Sequence, residues 1–217
     1  MIQVHRAPKP GILVRKETKW KAAIRGASSA SARRKAQRRY EHEEIKAALV
    51  GMFHGKCAYC ESAICHVDYG HIEHFRPKAL PAYFELAVEW ENLLLACGRC
   101  NGAEHKGVKF PGPAEGGPLV NPTEENPAEH LHFDFDPCAK LANVLGGTER
   151  GETTWRTLGL NRPELVRRRS DFVKKLWVIG TRYHQDPEAR EIIDLAVKDD
   201  AEYAAFAREL KRFIHSR

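Results

Sequence analysis

Four cysteines stand in the sequence with the spacing that zinc sites use. Cys57 and Cys60 form one pair, and Cys97 and Cys100 form another, each with two residues between its members. Two intervening residues let both thiolates of a pair reach the same ion in tetrahedral geometry. The two pairs therefore predict one structural Zn²⁺ site, with every coordination position filled by protein.

A redox function is the alternative for a Cys-x-x-Cys pair, but two such pairs without a thioredoxin-like βαβ pattern favour structural zinc. The remaining cysteines, Cys65 and Cys138, fall outside the pattern, and we expect them not to be ligands.

Residues suited to hydrolytic chemistry lie between the cysteine pairs and directly after them. Glu73 and His74 occur in the apolar stretch GHIEHF, Asn92 precedes three leucines, and Asn101 follows the last cysteine of the pairs. A neutral imidazole can take a proton from an attacking water, which makes His74 a candidate general base. The Glu73 carboxylate and the Asn101 carbonyl are the oxygen ligands that a catalytic Mg²⁺ or Mn²⁺ prefers.

Neighbouring residues extend this candidate site. His105 lies one helical turn beyond Asn101, so either residue could complete the metal site. His71 shares a strand face with Glu73 and could either support that residue or serve as a spare metal ligand. Three cationic residues are predicted to bind the phosphates of nucleic acid: Arg76, Lys78 and Lys106.

The order of these residues resembles that of the HNH nuclease superfamily, with an acid and His ending one strand, an Asn at the next, and an Asn or His on the following helix. The resemblance implies that Asn92 fixes the hairpin and orients His74. It also implies an α+β fold: a zinc-stapled ββα-metal module with flanking helices and a mainly helical C-terminal region. The expected activity is hydrolysis of phosphodiester bonds.

Several longer segments are similar to one HNH subfamily, the PtuB-like nucleases of Septu antiphage systems, which also occur with retrons. These segments are KCAYCE at 56–61, IEHFRPK at 72–78, CGRCN at 97–101, KFP at 109–111, LVNPTEENPAEHLHFD at 119–134 and LGLNRPELVRRR at 158–169. The resemblance implies an ABC/SMC-like ATPase partner of the PtuA type. The chain has no phosphate-binding Gly-x-x-x-x-Gly-Lys-[Ser/Thr] motif, so we expect nucleotide sensing to come from that partner.

Composition and periodicity divide the chain into three regions. Residues 1–55 are basic and end in a helix, which Ser29 or Ser31 would cap. Residues 56–122 hold the nuclease module, in which GHIEHF and EWENLLLAC are predicted strands. Residues 123–217 begin with a short strand, HLHFDFD, and continue as helices that we expect to pack and to bind a partner. Asn161 and Asp186, each followed within three residues by Pro and Glu, are predicted to begin two of these helices.

The net charge of +6 is concentrated near the N-terminus, where Glu17 is the only acid among the first 40 residues. Such a block suits phosphate contacts, although a solvated helix face explains any single basic residue equally well. The sequence has neither a secretory signal nor an apolar run long enough for a membrane, which predicts a soluble, cytoplasmic protein.

Three further functions fit the same residues. A zinc-ribbon module could bind nucleic acid or protein without catalysis, although such a module would not need the Glu73–His74 dyad. An RNA-directed HNH nuclease would use the same site, so these residues do not distinguish the two polymers. We favour DNA as the substrate, and RNA stays open. An interaction subunit could be active only within a complex.

Overall fold

The computed structural model describes residues 1–216, which form two compact units. The cleft unit comprises Val4–Ala58 and Ala63–Phe110, and the helical unit comprises Met1–Gln3, Tyr59–Ser62 and the chain from Pro111 onward. Each unit combines a two-stranded antiparallel sheet with helices, which confirms the predicted α+β class. The domain boundaries predicted after residues 55 and 122 stay predictions.

Three helices precede the sheet of the cleft unit: α1 (Gly11–Arg25), α2 (Ala30–Gln37) and α3 (Glu43–Met52). Ser29 caps α2 as predicted, because its hydroxyl accepts a hydrogen bond from the Ala32 N–H at 3.1 Å.

The prediction of one continuous helix at the end of this region is wrong. After α2 the chain makes a 3₁₀ turn, Arg38–Glu41, and His42 then adopts an extended conformation with φ −65° and ψ 139°. The His42 imidazole accepts a hydrogen bond from the Glu44 N–H and so starts α3 as a separate helix. Helical spacing alone did not reveal this break.

The sheet of the cleft unit is a short hairpin, as the sequence predicts. Strand β1 (His71–His74) pairs antiparallel with β2 (Leu93–Ala96), with His71 opposite Ala96 and His74 opposite Leu93. A single-turn helix, α4 (Gly98–Asn101), follows β2 directly. All four residues of β2 are buried, so this strand anchors the hairpin in the core of the unit.

The helical unit is built on a second hairpin, β3 (Leu131–Asp136) with β4 (Leu141–Gly146). Strand β3 is the predicted one, whereas β4 was not expected from the sequence. Four helices follow: α5 (Glu149–Thr157), α6 (Pro163–Gly180), α7 (Pro187–Ala196) and α8 (Ala204–His215). Helices α5 and α6 pack on β4, α8 packs on β3, and buried apolar side chains join α6, α7 and α8.

Two predicted helix starts in this unit have different outcomes. Asp186 caps α7 as expected, accepting hydrogen bonds from the N–H groups of Glu188 and Ala189. Asn161 does not cap α6, since its side-chain amide pairs with both backbone groups of Val144 at 2.9 and 2.7 Å. The Asn161 amide thereby supplies the hydrogen-bond partners of the Val144 backbone in β4. This contact forms only when the two segments meet in the tertiary structure.

Among the described residues, no helix is both long enough and apolar enough to cross a membrane.

Candidate active site and zinc centre

A cleft of about 500 Å³ opens beside β1 in the cleft unit. Of the predicted site residues, its lining includes Glu73, His74, Lys78 and Asn101. The described lining does not include Asn92, Arg76, Lys106 or His105. The structure therefore gathers the predicted acid, base and one candidate third ligand around one space.

The hydrogen bonds of His74 define the tautomer of its ring. Nε2 lies 2.9 Å from the Ala87 carbonyl oxygen, and Nδ1 lies 3.3 Å from the Lys78 ammonium. A carbonyl can only accept and an ammonium can only donate, so Nε2 carries the proton and Nδ1 presents a lone pair. Burial, together with the positive charges of Lys78 and Lys106, lowers the pKa of His74 to about 3. The imidazole is consequently neutral at physiological pH, as a general base must be.

Glu73 is buried at the same end of β1 and is paired with a buried cation. Its carboxylate lies 2.6 Å from the Lys106 ammonium, and the side chain of Lys106 is fully buried. The ammonium also donates to the His74 carbonyl oxygen at 2.9 Å. Burial lowers the pKa of Lys106, while the Glu73 charge opposes that change.

A phosphate contact would require Lys106 to be exposed, whereas the structure buries it. The ammonium lies under the site and holds the acid and the strand end, whereas Lys78 lines the open cleft. Arg76 is half-buried, with its guanidinium over the Phe75 ring.

Asn92 lies behind the cleft and holds the chain that leaves β1. Its side-chain oxygen accepts a hydrogen bond from the Arg76 N–H at 2.7 Å, and its amide nitrogen donates to the carbonyls of Arg76 and Leu86. The backbone carbonyl of Asn92 accepts from the Phe75 N–H at 2.9 Å. These bonds fix the two residues that follow His74 and so limit the positions open to its ring.

The two candidates for the third position lie in different surroundings. Asn101 ends α4, is half-buried and lines the cleft with Glu73. His105 follows in the turn after α4 and is also half-buried. The oxygen donors of Glu73 and Asn101 therefore share one cavity, and their chemistry fits a hard divalent cation. Lys106 already occupies one Glu73 oxygen, so such a cation would share this carboxylate with the ammonium.

Sequence reasoning did not assign three residues that also line the cleft. Tyr40, Glu41 and Lys46 come from the 3₁₀ turn and from α3, well before the first cysteine pair. In the sequence Tyr40 is an aromatic residue among basic ones, and its spacing does not link it to Glu73 or His74. No local spacing could place it here, because its position depends on packing between distant parts of the unit.

Much of the basic block near the N-terminus has carboxylate partners within the cleft unit. Glu17 pairs with both Lys9 and Lys21 at 2.6 Å. Further pairs are Lys9 with Glu91, Arg15 with Glu44, Lys21 with Glu89, Arg25 with Glu85, and Arg38 with Glu41. Arg34, Lys35 and Arg39 are exposed. The acids come mostly from beyond residue 40, so the apparent excess of positive charge is partly compensated in the fold.

The four cysteines of the two pairs form one cluster, as predicted. Their sulfur atoms all lie within 4.8 Å of one another, and three of the four residues are buried. A tetrahedral Zn²⁺ with Zn–S bonds of about 2.3 Å needs sulfur atoms about 3.8 Å apart, so the cluster could hold zinc. Cys97 also caps α4, since its sulfur accepts from the Cys100 N–H at 3.4 Å. Cys65 and Cys138 are exposed and lie outside the cluster.

The comparison with protein families agrees with this geometry. Residues 57–107, which include both cysteine pairs, β1, β2 and α4, match the HNH endonuclease family. This part of the chain is thus similar to HNH endonucleases, and the predicted resemblance to that superfamily is confirmed.

The chain is also similar to two proteins that are each named Septu protein PtuB. The one from Bacillus mycoides (strain KBAB4) is 32% identical over 74% of this chain and 65% of its own length. The one from Bacillus thuringiensis is 33% identical over 79% of this chain and 59% of its own length. The chain therefore spans about three-fifths of each relative, and the narrower resemblance seen in the motifs is confirmed over that part.

We predict one zinc ion per chain, held by the four clustered cysteines. Replacing Cys97 with Ser should release the zinc and reduce the yield of folded protein, because structural zinc contributes directly to folding free energy. Elemental analysis and circular dichroism would measure both effects. The matched control is Cys138→Ser, which removes an exposed thiol and should retain one zinc. Well-folded wild-type protein without zinc would contradict the prediction.

We also predict that Lys106→Met destabilises the cleft unit. The change leaves the Glu73 carboxylate buried without its cation, and breaking a buried pair in this way typically costs about 3–5 kcal/mol. Urea denaturation in zinc-replete, magnesium-free buffer would measure the change in unfolding free energy. Lys109→Met is the control, since Lys109 is exposed. An unchanged unfolding midpoint for Lys106→Met would show that the pair has no such role.

Proposed function

We propose that this chain hydrolyses phosphodiester bonds in nucleic acid as a metal-dependent endonuclease, and that it serves as the nuclease subunit of an antiphage defence system. The observation that carries the proposal is the state of His74: a neutral imidazole, fixed through Nε2, whose Nδ1 meets Lys78 on the wall of a cleft that Glu73 and Asn101 also line. The HNH match and the similarity to Septu proteins support it. A scaffold that only bound zinc would have no use for this arrangement.

In the proposed reaction His74 acts as the general base. Its Nδ1 takes a proton from a water molecule as the water oxygen forms a bond to phosphorus, and the bond to the leaving oxygen breaks. The hydrogen bond from Nε2–H to the Ala87 carbonyl favours this step, because it stabilises the imidazolium that forms. Glu73 and Asn101 would hold Mg²⁺ or Mn²⁺, which stabilises negative charge on the phosphate and the leaving oxygen when bound.

Lys78 has two successive partners in this proposal. Before substrate binds, its ammonium donates to Nδ1 of His74. A phosphodiester oxygen is a charged acceptor and competes well with a neutral imidazole for that ammonium. Binding of the phosphate therefore redirects the ammonium from Nδ1 to the phosphate oxygen while it stays in the cleft, and this frees Nδ1 to accept a proton. Arg76 is the second proposed phosphate contact, while Lys106 is assigned to holding Glu73.

The test is cleavage of plasmid DNA and of total RNA with and without Mg²⁺ or Mn²⁺. We expect His74→Ala to lower the cleavage rate by about 10²–10⁴-fold, the usual cost of losing a general base. Folding and zinc content should be unchanged. His66→Ala is the control, since His66 is exposed in the same unit. Full activity of purified His74→Ala protein would remove the assignment.

Two further variants resolve the metal site in the same assay. Glu73→Gln should raise the metal concentration needed for cleavage, because an amide binds a divalent cation more weakly than a carboxylate. Asn101→Ala and His105→Ala, compared side by side, show which residue completes the site. DNA is the favoured substrate in this proposal, and the RNA arm of the assay tests the other polymer.

We further propose that an ATPase subunit of the PtuA type restrains and triggers the nuclease by docking on the helical unit. A groove of about 420 Å³ there is lined by aromatic side chains from β3, α6 and α8. Phe213 and Leu145 in this groove are 39% and 47% exposed, which is unusual for large apolar residues at one place. Asp134 and Glu209 also line it and would suit a partner segment with basic flanks.

Co-purification with an ATPase of the PtuA type tests the docking surface. We expect Phe213→Glu to lose the ATPase, because a charge would be buried at the contact. Val178→Glu is the matched control, since Val178 is 60% exposed on α6 but does not line the groove. Equal capture of the ATPase by wild type and Phe213→Glu would exclude this surface.

A further inference from the structure

Tyr40 makes two contacts with the residues that would do the chemistry. Its ring meets the His74 ring edge to face, with centroids 4.5 Å apart and planes at 89°. The Lys78 ammonium lies over the same tyrosine ring, 4.5 Å from its centroid. Both distances fall within the ranges of favourable aromatic and cation–π contacts. Tyr40, His74 and Lys78 all line the cleft.

Gln37, which directly precedes the 3₁₀ turn, helps to hold Tyr40 in this place. Gln37, at the end of α2, is buried, and its side-chain amide donates to the backbone carbonyls of Lys78 and Phe84 at 3.2 and 3.1 Å. These bonds join the 3₁₀ turn that carries Tyr40 to the backbone of Lys78 itself. Tyr40 and Lys78 are therefore linked twice, through the Gln37 hydrogen bond to the Lys78 backbone and through the contact between the ring and the ammonium.

We propose that Tyr40 is a positioning residue of the nuclease site, whose aromatic ring keeps the Lys78 ammonium beside His74 at the point where a substrate phosphate enters. This inference rests on the proposed function. A lysine side chain has four rotatable bonds, and its ammonium on an open cleft would otherwise sample many positions. The ring face attracts the ammonium without neutralising it, so the charge stays available for a phosphate oxygen. The phenol hydroxyl is not needed for this role, which separates the ring from a proton-transfer function.

The first measurement tests the geometry without substrate. The ε-methylene group of Lys78 is bonded to the ammonium that lies over the ring, so we expect its proton resonances to be shifted upfield by the ring current. The shift should persist in Tyr40→Phe and vanish in Tyr40→Leu. An ordinary lysine shift for Lys78 in the wild-type protein would overturn the proposal whatever the activity.

The second measurement is a double-mutant cycle on kcat/KM for DNA cleavage. We expect Tyr40→Phe to retain activity and Tyr40→Leu to lose about tenfold, mainly through KM, the effect of losing roughly 1.4 kcal/mol of cation–π attraction. Lys78→Met should cost at least as much. Because Tyr40 acts through Lys78, the double variant should be no worse than Lys78→Met alone. Tyr69→Leu removes a tyrosine that is 92% exposed in the same unit and serves as the control.

The outcomes separate the two proposals. Additive losses in the double variant, or a loss in Tyr40→Phe as large as in Tyr40→Leu, would overturn the positioning role while leaving the nuclease assignment intact. No cleavage by the wild-type protein with any metal, either alone or together with a PtuA-type ATPase, despite the expected ring-current shift, would overturn the proposed function and the role of Tyr40 with it.

Discussion

The site depends on one buried ammonium. Lys106 binds the Glu73 carboxylate and the His74 carbonyl oxygen, so a single charge holds both the acid and the end of the strand that carries the candidate base. Its backbone N–H also donates to the Cys100 carbonyl, which joins it to the turn that follows β2. Two isolated charges this deep would each be costly, and their pairing with good geometry is what makes the burial tolerable. A carboxylate in this place without that partner would take up a proton and lose its value as a ligand.

His74 likewise has one partner at each ring nitrogen. One ring nitrogen is committed to a backbone carbonyl, and the other faces a cation on the wall of the cleft. Burial and the two nearby ammonium groups lower the pKa of the ring, so the ring is neutral at physiological pH and Nδ1 keeps its lone pair. Asn92 adds a rigid frame behind the ring by clamping the chain at Arg76. General-base catalysis requires such positioning, because the base must stay within hydrogen-bond distance of the attacking water.

The helical unit also buries a charge, but the hydrogen-bond partners of that charge are neutral groups. Arg169 is almost fully buried, and its guanidinium donates to the carbonyls of Ala142 and Leu160 and to the side chain of Asn161. Its charge also lies over the Phe206 ring, 4.6 Å from the centroid. Burial lowers the pKa of Arg169 to about 10, which still leaves it charged at neutral pH. The side chain thereby ties β4 to α6, and the groove proposed for a partner lies on the hairpin that it supports.

The sequence by itself determined the cysteine cluster, the β1–β2 hairpin and the identity of Glu73 and His74 as the acid and the base candidate. These features follow from short-range rules: the reach of two thiolates across two residues, and the alternation of side chains along a strand. Tertiary structure alone decided that Lys106 is buried under Glu73, that Tyr40 enters the cleft, that Asn161 binds β4 and that the helix breaks at His42. Each of these outcomes depends on contacts between residues far apart in the sequence and on the desolvation of the groups involved. The local spacing of residues predicts neither.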